Sequence, residues 1–444
     1  MASTYLTRTF SSAGNRKTWT MSAWIKRSGL KASSEDRVFG WKSGGGNYGF
    51  QFDNDAFRFY VCSGGSGAEF LTNRKFRDTS GWYHIVASCD TTQATQSDRF
   101  KLYINGVQET SFATGTYPNQ NEDTAVNQAE VCRLGCSTVA VNSHFSGLMS
   151  HVYFIDGTAL PASTFGSTDS TTGEWKINTS PTISSYGTNG FLVLKDGNTI
   201  TDQSPNSNNF TLGAGTLTKT EDNPSNVFAT MNPLAGSISD YTLSNGNTSF
   251  QNTSGWSWKP STICPSKGKF YYEVKMTGSA PLYEVVGVVP FASWDKIDNE
   301  TIGAGSGGEA ESVGYSKSGN VIKGNSTVYS GTSYTVGDIV CVAVDLDNRK
   351  IYFRKNGGSW ENSGDPTSGS TGTGAVSLST TLDDWSLSTS ASGTDAGSSI
   401  NYGNGCFGTT QLTGTTYQGS GNLGIFKYQP PSGYTALCTK GLNE

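Results

Sequence analysis

Two distant stretches of the chain share one pattern of hydrophobic and polar positions. In residues 98–108, "DRFKLYINGVQ", Phe100, Leu102 and Ile104 alternate with polar residues, which is the period of a strand with one buried face. Residues 347–358, "DNRKIYFRKNGG", repeat this pattern. Each stretch follows an apolar run that ends in an acid, and each reaches an Asn-Gly pair, which favours a tight turn. Each copy therefore predicts two antiparallel strands and a turn.

The same kind of alternation predicts further short strands and no long helix. The predicted strands lie at residues 19–28, 48–62, 82–89, 129–136, 191–196, 269–277, 283–291 and 338–344. A single strand pair is marginally stable and needs a second sheet to cover its apolar face. Two copies of the pattern thus predict two antiparallel β-sandwich domains, residues 1–215 and 216–444. The boundary falls in the segment 197–226, which is rich in Asn, Ser, Thr and Gly.

The composition agrees with an all-β fold, and the charge and hydropathy argue against binding to nucleic acid and against insertion into a membrane. The chain has 444 residues, of which 55 are Gly and 12% are aromatic, and disordered chains are poor in aromatic residues. The net charge of −5 gives no reason to expect nucleic acid or an anionic membrane as a partner. Residues 1–17 lack the apolar core of a signal peptide, and no apolar run is long enough for a membrane span. We expect a soluble protein without membrane insertion.

The cysteines fit structural positions better than metal or redox sites. Cys62, Cys89 and Cys341 lie in apolar strand-like runs, where a free thiol behaves as a small hydrophobic group. Cys132 and Cys136 form a CxxxC spacing without a second pair nearby, which is a weak zinc signal. The sequence therefore predicts reduced thiols and no metal-binding residue.

No combination of residues points to catalysis. Sugar hydrolysis requires two carboxylates that face one cleft, and nucleophilic catalysis requires a nucleophile beside a base. The carboxylate pairs are Asp53 with Asp55 and Asp345 with Asp347, and the histidines are His84, His144 and His151. Neither pair has a partner Glu in the pattern of a glycosidase strand, and no Ser or Cys motif accompanies the histidines. The sequence predicts no catalytic residue and no enzyme.

Several motifs resemble known families. "TMSAWIKRS", "GWYHIVASCD", "FKLYINGV" and "FSGLMSHVYFIDGTAL" resemble a LamG-like domain, a jelly roll of the concanavalin A type. "GKFYYEVKM", "GDIVCVAVDLDNRKIYFRKNG" and "FKYQPPSGYTALCTKGLN" resemble a SPRY domain. The segments that join these two domains resemble those of a family of tailed-bacteriophage virion proteins, in which the same two domains occur in this order. The segments are "DGTALPASTFGSTDSTTGEWK", "YGTNGFLVLKD" and "NPSNVFATMNPL". The resemblance implies an all-β fold of two concanavalin A-like antiparallel β-sandwich (jelly-roll) domains in tandem.

Ligand binding is the activity that the residues favour. Sandwiches of this type present loops and a concave sheet face, and Trp and Tyr combine a flat apolar ring with a polar group suited to sugars and protein surfaces. The candidate ligand-binding residues are Trp41, Asn47, Tyr48, Trp256, Trp258, Trp294, Asp295, Trp360 and Asn362. No cofactor is expected, although the acids in "QFDNDAF" leave calcium as an open alternative.

The resemblance implies a non-enzymatic virion structural protein, assembled in the host cytoplasm and located in the virion. We expect a tail fibre or appendage subunit that binds a host-surface glycan or protein and contacts other virion proteins. A homo-oligomer is expected, because several copies displayed together strengthen a weak, shallow site. Two alternatives stay open. The protein could decorate the capsid surface or form a head appendage, or it could be a bacterial or prophage glycan-binding protein.

Overall fold

The computed structural model describes residues 3–30, 35–62, 65–195, 199–237, 239–278, 283–294, 301–303 and 311–443. These residues form antiparallel sheets, turns and single turns of 3-10 helix, with no α-helix among them, so the all-β prediction is confirmed. No described helix is long and apolar enough to cross a membrane. The chain divides into two compact units, Met1–Leu217 and Thr218–Glu444.

The first unit is a two-sheet sandwich. Its strands are β1 Tyr5–Thr9, β2 Thr18–Arg27, β3 Glu35–Ser43, β4 Gly46–Asp53, β5 Ala56–Tyr60, β6 Glu69–Lys75, β7 Tyr83–Asp90, β8 Phe100–Ile104, β9 Val107–Glu109, β10 Phe112–Thr116, β11 Val131–Leu134, β12 Gly147–Asp156, β13 Gly166–Thr168, β14 Trp175–Ile177, β15 Phe191–Val193 and β16 Thr211–Ala214. An eight-stranded sheet has the order β10-β6-β5-β4-β3-β11-β1-β16, and a six-stranded sheet has the order β15-β12-β2-β7-β8-β9. Strands β13 and β14 form a separate hairpin. Short 3-10 turns lie at Gln96–Asp98 and Ala162–Thr164.

Aromatic side chains fill the core between these two sheets. Phe57 and Phe59 of β5 are buried there, and the ring of Trp19 on β2 stacks on Phe59 with centroids 5.8 Å apart. The predicted inward face of β8 is confirmed, because Phe100, Leu102 and Ile104 are all buried in this core. A smaller apolar cluster, which includes Tyr153, Phe165 and Trp175, covers the other face of the six-stranded sheet.

The second unit is also a two-sheet sandwich. Its strands are β17 Tyr241–Ser244, β18 Ser249–Asn252, β19 Trp256–Lys259, β20 Lys269–Met276, β21 Tyr283–Pro290, β22 Val313–Ser316, β23 Asn320–Lys323, β24 Ser326–Ser330, β25 Ile339–Asp345, β26 Lys350–Lys355, β27 Val376–Ser377, β28 Trp385–Ser392, β29 Gly397–Asn401, β30 Cys406–Phe407 and β31 Thr410–Gln411. A seven-stranded sheet has the order β17-β18-β29-β20-β25-β26-β27, and a six-stranded sheet has the order β19-β28-β21-β22-β23-β24. The 3-10 turns lie at Phe291–Ser293, Glu361–Ser363, Gly369–Thr371, Ser420–Asn422 and Gly441–Asn443.

Among the described residues of the second unit, three apolar clusters hold the fold together. The main core lies between its sheets and includes Val286 and Val288 of β21. Because side chains alternate along a strand, Val285 and Val289 lie on the opposite face, in a cluster with Trp258 and Ile302. The third cluster covers the outer face of the seven-stranded sheet, where residues 426–438 pack against β20 and β25.

The repeated pattern ends each strand pair in the same way. Asn105 donates its backbone N–H to the His84 carbonyl (2.8 Å), and its side-chain Oδ1 accepts from the His84 N–H (2.7 Å). Asn356 makes the same two bonds to Ile339, both 2.8 Å. In both copies, the Asn residue therefore forms the last pair of hydrogen bonds between the two strands, β7 with β8 and β25 with β26. The copies differ afterwards, because the first turn leads directly into β9 whereas β26 pairs next with the distant β27.

Candidate binding surface

Two of the predicted ligand-binding tryptophans lie in the core, so their assignment to exposed loops is wrong. Trp41 lies on β3 and is 0% exposed, with its ring centroid 4.5 Å from that of Phe154. Trp258 lies on β19 and is also 0% exposed. The Gly and Ser residues beside these tryptophans suggested loops, but they belong to strand ends and a tight turn. Neither ring can contact a surface ligand in this arrangement.

Asn47 and Tyr48 have structural contacts. The Asn47 Oδ1 accepts from the backbone N–H groups of Thr138 (2.5 Å) and Val139 (3.1 Å) and from the Ser137 hydroxyl (3.2 Å), so it fixes the loop 137–140. Tyr48 is half-buried and packs against the main core of its unit. The first candidate loop is therefore part of the framework of its sandwich.

Trp256 forms an exposed aromatic pair with a residue that the sequence analysis missed. Trp256 on β19 and Tyr283 on β21 lie opposite the same residue of β28, Ser392. Their ring centroids are 5.8 Å apart, and Tyr283 is 69% exposed. Tyr283 is the first residue of an apolar strand, and such a position is normally predicted to be buried. The local sequence pattern therefore gave no sign that the Tyr283 side chain is exposed.

A second aromatic pair lies at the other end of β21. The rings of Phe291 and Trp294 are 4.8 Å apart, and Phe291 is 53% exposed. Trp294 packs edge-on against the buried Trp258, with centroids 6.3 Å apart. Asp295, the predicted neighbour of Trp294 in the site, lies outside the described residues.

Both pairs lie on the outer face of the six-stranded sheet of the second unit. They share this face with the cluster of Trp258, Val285, Val289 and Ile302, which covers its middle. Strand β21 has eight residues, which corresponds to about 24 Å between its ends. We call Trp256, Tyr283, Phe291 and Trp294 the aromatic face.

The remaining predicted residues lie in the loop and 3-10 turn that follow β26 of the seven-stranded sheet. Trp360 covers the guanidinium of Arg354 at 4.5 Å and packs edge-on against Tyr352 of β26 at 6.4 Å. Asn362 is exposed and donates from Nδ2 to the Gly374 carbonyl at 3.3 Å. Trp360 thus has a packing role, and neither residue joins the aromatic face.

Comparisons with known families agree with this architecture. Residues 2–164 match the model of the concanavalin A-like lectin/glucanases superfamily. Residues 269–370 match the model of the SPRY domain. The chain carries a concanavalin A-like LamG domain followed by a SPRY domain. This confirms the predicted tandem of β-sandwich domains, and the two units are called the LamG-like and SPRY domains below.

Matches among solved structures include two human SPRY domains and stonustoxin. The SPRY domain of human HERC1 is 12% identical, with a TM-score of 0.31, and the match covers 42% of this chain and 99% of that chain. A human SPRY domain is 16% identical, with a TM-score of 0.26, over 36% of this chain and 94% of that chain. Stonustoxin is 16% identical, with a TM-score of 0.28, over 39% of this chain and 26% of that chain. No curated protein sequence matches the chain.

The acids of "QFDNDAF" in the LamG-like domain form ion pairs with arginines. Asp53 binds the guanidinium of Arg58. Asp55 binds Arg27 at 3.0 Å and Arg77 at 3.1 Å. These carboxylates are therefore engaged by cations of the protein itself, and no group of three His, Cys, Asp or Glu side chains suited to a metal occurs among the described residues.

A buried serine–histidine pair in the LamG-like domain has the wrong proton arrangement for nucleophilic catalysis. His84 Nε2 lies 2.9 Å from Ser22 Oγ, and the indole of Trp175 donates to His84 Nδ1 at 3.0 Å. Because an indole N–H only donates, Nδ1 is the acceptor, and the neutral ring carries its proton on Nε2. Burial lowers the pKa of His84 to about 3, so the ring is neutral. His84 therefore donates to Ser22 and cannot take a proton from its hydroxyl.

The eight cysteines are all free thiols, and the two of the CxxxC spacing are buried. Burial raises the pKa of Cys136 to about 11 and that of Cys62 to about 12. The reactive thiolate is therefore disfavoured at both positions at neutral pH. This agrees with the predicted structural role of the thiols.

Proposed function

We propose that this protein is a non-enzymatic binding subunit of a tailed-bacteriophage virion, in a tail fibre or another appendage, that contacts a host-surface glycan or protein. The aromatic face of the SPRY domain is the observation that carries the binding role. Tyr283 and Phe291 expose most of their large side chains, and Trp256 and Trp294 hold them in place. Rigid, exposed aromatic rings are typical of binding surfaces, because their contact area is large and their conformational entropy is low.

The location in a virion is supported by the resemblance of the segments that join the two domains. Two of these segments resemble the corresponding sequence segments of phage virion proteins: "DGTALPASTFGSTDSTTGEWK" and "NPSNVFATMNPL". In such a particle the partners are other virion proteins, and copies of the chain act together. Repeated display compensates for a weak single site, since the second contact becomes intramolecular.

Antibody labelling of purified particles, viewed by electron microscopy, tests the location. Label at the tail or at fibre tips supports a host-binding appendage. Label distributed over the head favours the decoration role instead. Particles whose other proteins are detected but which carry no label would contradict a virion protein.

The binding role is tested with the double variant Tyr283→Ala/Phe291→Ala, displayed in many copies on beads. We expect at least a tenfold loss of bead attachment to host cells, because both rings leave the aromatic face while the core residues stay. Val328→Ala removes another half-exposed apolar side chain from edge strand β24 of the same sheet and is the matched control. Attachment of the double variant equal to that of the control would refute the role of this face.

A further inference from the structure

The loop between β11 and β12 of the LamG-like domain exposes a run of apolar residues. Val139, Ala140 and Val141 follow one another in the sequence, and all three are exposed, the two valines by 46% and 51%. Single exposed apolar side chains are common on protein surfaces, but three consecutive ones at the tip of a loop are unfavourable in water unless they have a function. We call residues 139–141 the apolar knob.

Hydrogen bonds hold the base of this loop in one conformation. The Asn47 Oδ1 accepts from the backbone N–H groups of Thr138 (2.5 Å) and Val139 (3.1 Å). It also accepts from the hydroxyl groups of Ser137 and Thr138. Across the loop, Ser137 donates its backbone N–H to the Asn142 carbonyl at 3.0 Å. The apolar knob is therefore preorganised, and a partner does not have to order it on binding.

An open cleft of about 280 Å³ lies at the other end of the same sheet. Strand β4 connects the two features, because Asn47 lies near its first residue and Asp53 is its last. The distance along the strand between these two residues is about 20 Å. The apolar knob of one chain therefore cannot enter the cleft of the same chain. The cleft is lined by Asp53, Asn54, Ala56, Leu71, Thr72, Asn73, Lys75 and Ala113.

The charged groups of this cleft already have partners within the chain. Asp53 binds the guanidinium of Arg58, and Lys75 Nζ donates to the Asn54 carbonyl at 2.7 Å. A charged ligand would compete with these contacts, whereas an uncharged apolar segment can fill the cleft and leave them in place. The apolar knob is such a segment, since residues 139–142 carry no charge.

We propose that the apolar knob of one LamG-like domain inserts into the cleft of a second copy of this chain, where it contacts the apolar side chains of Ala56, Leu71 and Ala113. The knob and the cleft are different surfaces, so the contact is heterologous, and copies add head to tail into a ring or a row. A pair of copies still has one free knob and one free cleft.

The contact is small and therefore weak when two copies meet alone. An interface formed by three residues and a shallow cleft belongs to the smallest class of specific interfaces. Copies that are already held near one another gain much more from it, because the contact is then intramolecular. The inference goes beyond the proposed function, which requires several copies but does not depend on this contact.

Sedimentation velocity of the full chain tests the contact. The sedimentation coefficient should rise between about 10 µM and about 1 mM protein, since we expect a dissociation constant of about 0.1–1 mM. Val139→Asp/Val141→Asp places charges on the knob and should weaken the association at least tenfold. Ala113→Glu, at an exposed position of β10, fills the cleft and should do the same. The matched controls are Val107→Asp on β9 and Thr211→Glu on β16, both at exposed positions outside the knob and the cleft.

An equimolar mixture of the two variants distinguishes a heterologous contact from a symmetric one. The knob variant keeps an intact cleft, and the cleft variant keeps an intact knob. We therefore expect the mixture to form one-to-one pairs that do not grow further, although each variant alone stays monomeric. Val139→Ser/Val141→Ser repeats the knob test without added charge if the first knob variant does not fold.

Each of three results would overturn the contact. The first is an unchanged protein that stays monomeric over the whole concentration range. The second is a knob or cleft variant that associates as strongly as its control. The third is a mixture of the two variants that stays monomeric. The variant Tyr283→Ala/Phe291→Ala should associate like the unchanged protein, which separates this contact from the aromatic face.

Discussion

Replacing Glu273 with alanine should lower the free energy of unfolding of the SPRY domain by about 3–5 kcal/mol at neutral pH. This fully buried carboxylate of β20 accepts from the backbone N–H groups of Lys427 (2.9 Å) and Tyr428 (2.8 Å), the Tyr271 hydroxyl (3.1 Å) and the Asn401 amide (3.2 Å). Its removal leaves these buried donors unpaired and releases the chain around residues 427–428 from the outer face of the seven-stranded sheet.

Urea unfolding of the full chain gives the total loss, and hydrogen exchange at residues 425–429 shows whether this segment opens first. Glu273→Gln is the matched control, because it keeps one acceptor oxygen and should cost about half as much. A loss below about 1 kcal/mol for Glu273→Ala would show that water replaces the carboxylate at little cost.

The same residue should make stability depend on pH. Burial raises the pKa of Glu273 from its ordinary value of 4.5 to about 7, so the folded state holds the proton more tightly than the unfolded state. The resulting stabilisation is complete below pH 4.5 and is lost as the pH rises through 7. The stability difference between the unchanged protein and Glu273→Gln should therefore fall by about 3 kcal/mol between pH 4.5 and pH 8. A difference that stays constant over this range contradicts the prediction.

Replacing Arg27 with methionine should destabilise the LamG-like domain by about 3–5 kcal/mol. The Arg27 side chain is fully buried and binds Asp55 at 3.0 Å, Asp36 at 3.4 Å and the Phe76 carbonyl at 2.6 Å. Without the guanidinium, Asp36 retains a buried negative charge that burial strongly disfavours. Thermal and urea unfolding of the full chain measure the effect.

Two further variants separate this charge effect from lost packing. Arg37→Met makes the same change in an ion pair whose Glu35 is partly exposed, and it should cost at most about 1 kcal/mol. Arg27→Met combined with Asp36→Asn and Asp55→Asn removes the buried charges together and should recover at least half of the loss. If the triple variant is as unstable as Arg27→Met, packing and not charge explains the effect.

Much of the fold could be predicted from local patterns. Alternation along "RFKLYI" predicted the buried face of β8, because a strand places successive side chains on opposite faces. The Asn-Gly pairs predicted turns, and Asn105, Gly106, Asn356 and Gly357 all have positive φ. These features depend on a few consecutive residues, so they can be read without knowing which strands become neighbours.

The candidate site was predicted less well, because exposure depends on distant partners. Trp41 was predicted to be exposed and is buried, whereas Tyr283 lies in an apolar run and is exposed. Trp41 is followed in sequence by Lys42, Ser43 and three glycines, but β11 and β4 flank its strand and the second sheet covers its ring. Tyr283 opens an apolar strand, but its side chain lies on the outer face beside Trp256.

The sequence by itself determined many of the strands, the inward face of β8, the Asn-Gly turns and the tandem of two sandwiches, since each rests on local alternation or a turn motif. Only the tertiary structure decided which side chains act together. Asn47 holds the loop 137–140 because β4 and β11 both pair with β3, and Glu273 meets Lys427 and Tyr428 because the chain returns across β20. A shift of one residue in register would exchange the two faces of a strand, so these sites exist only once the sheets have paired.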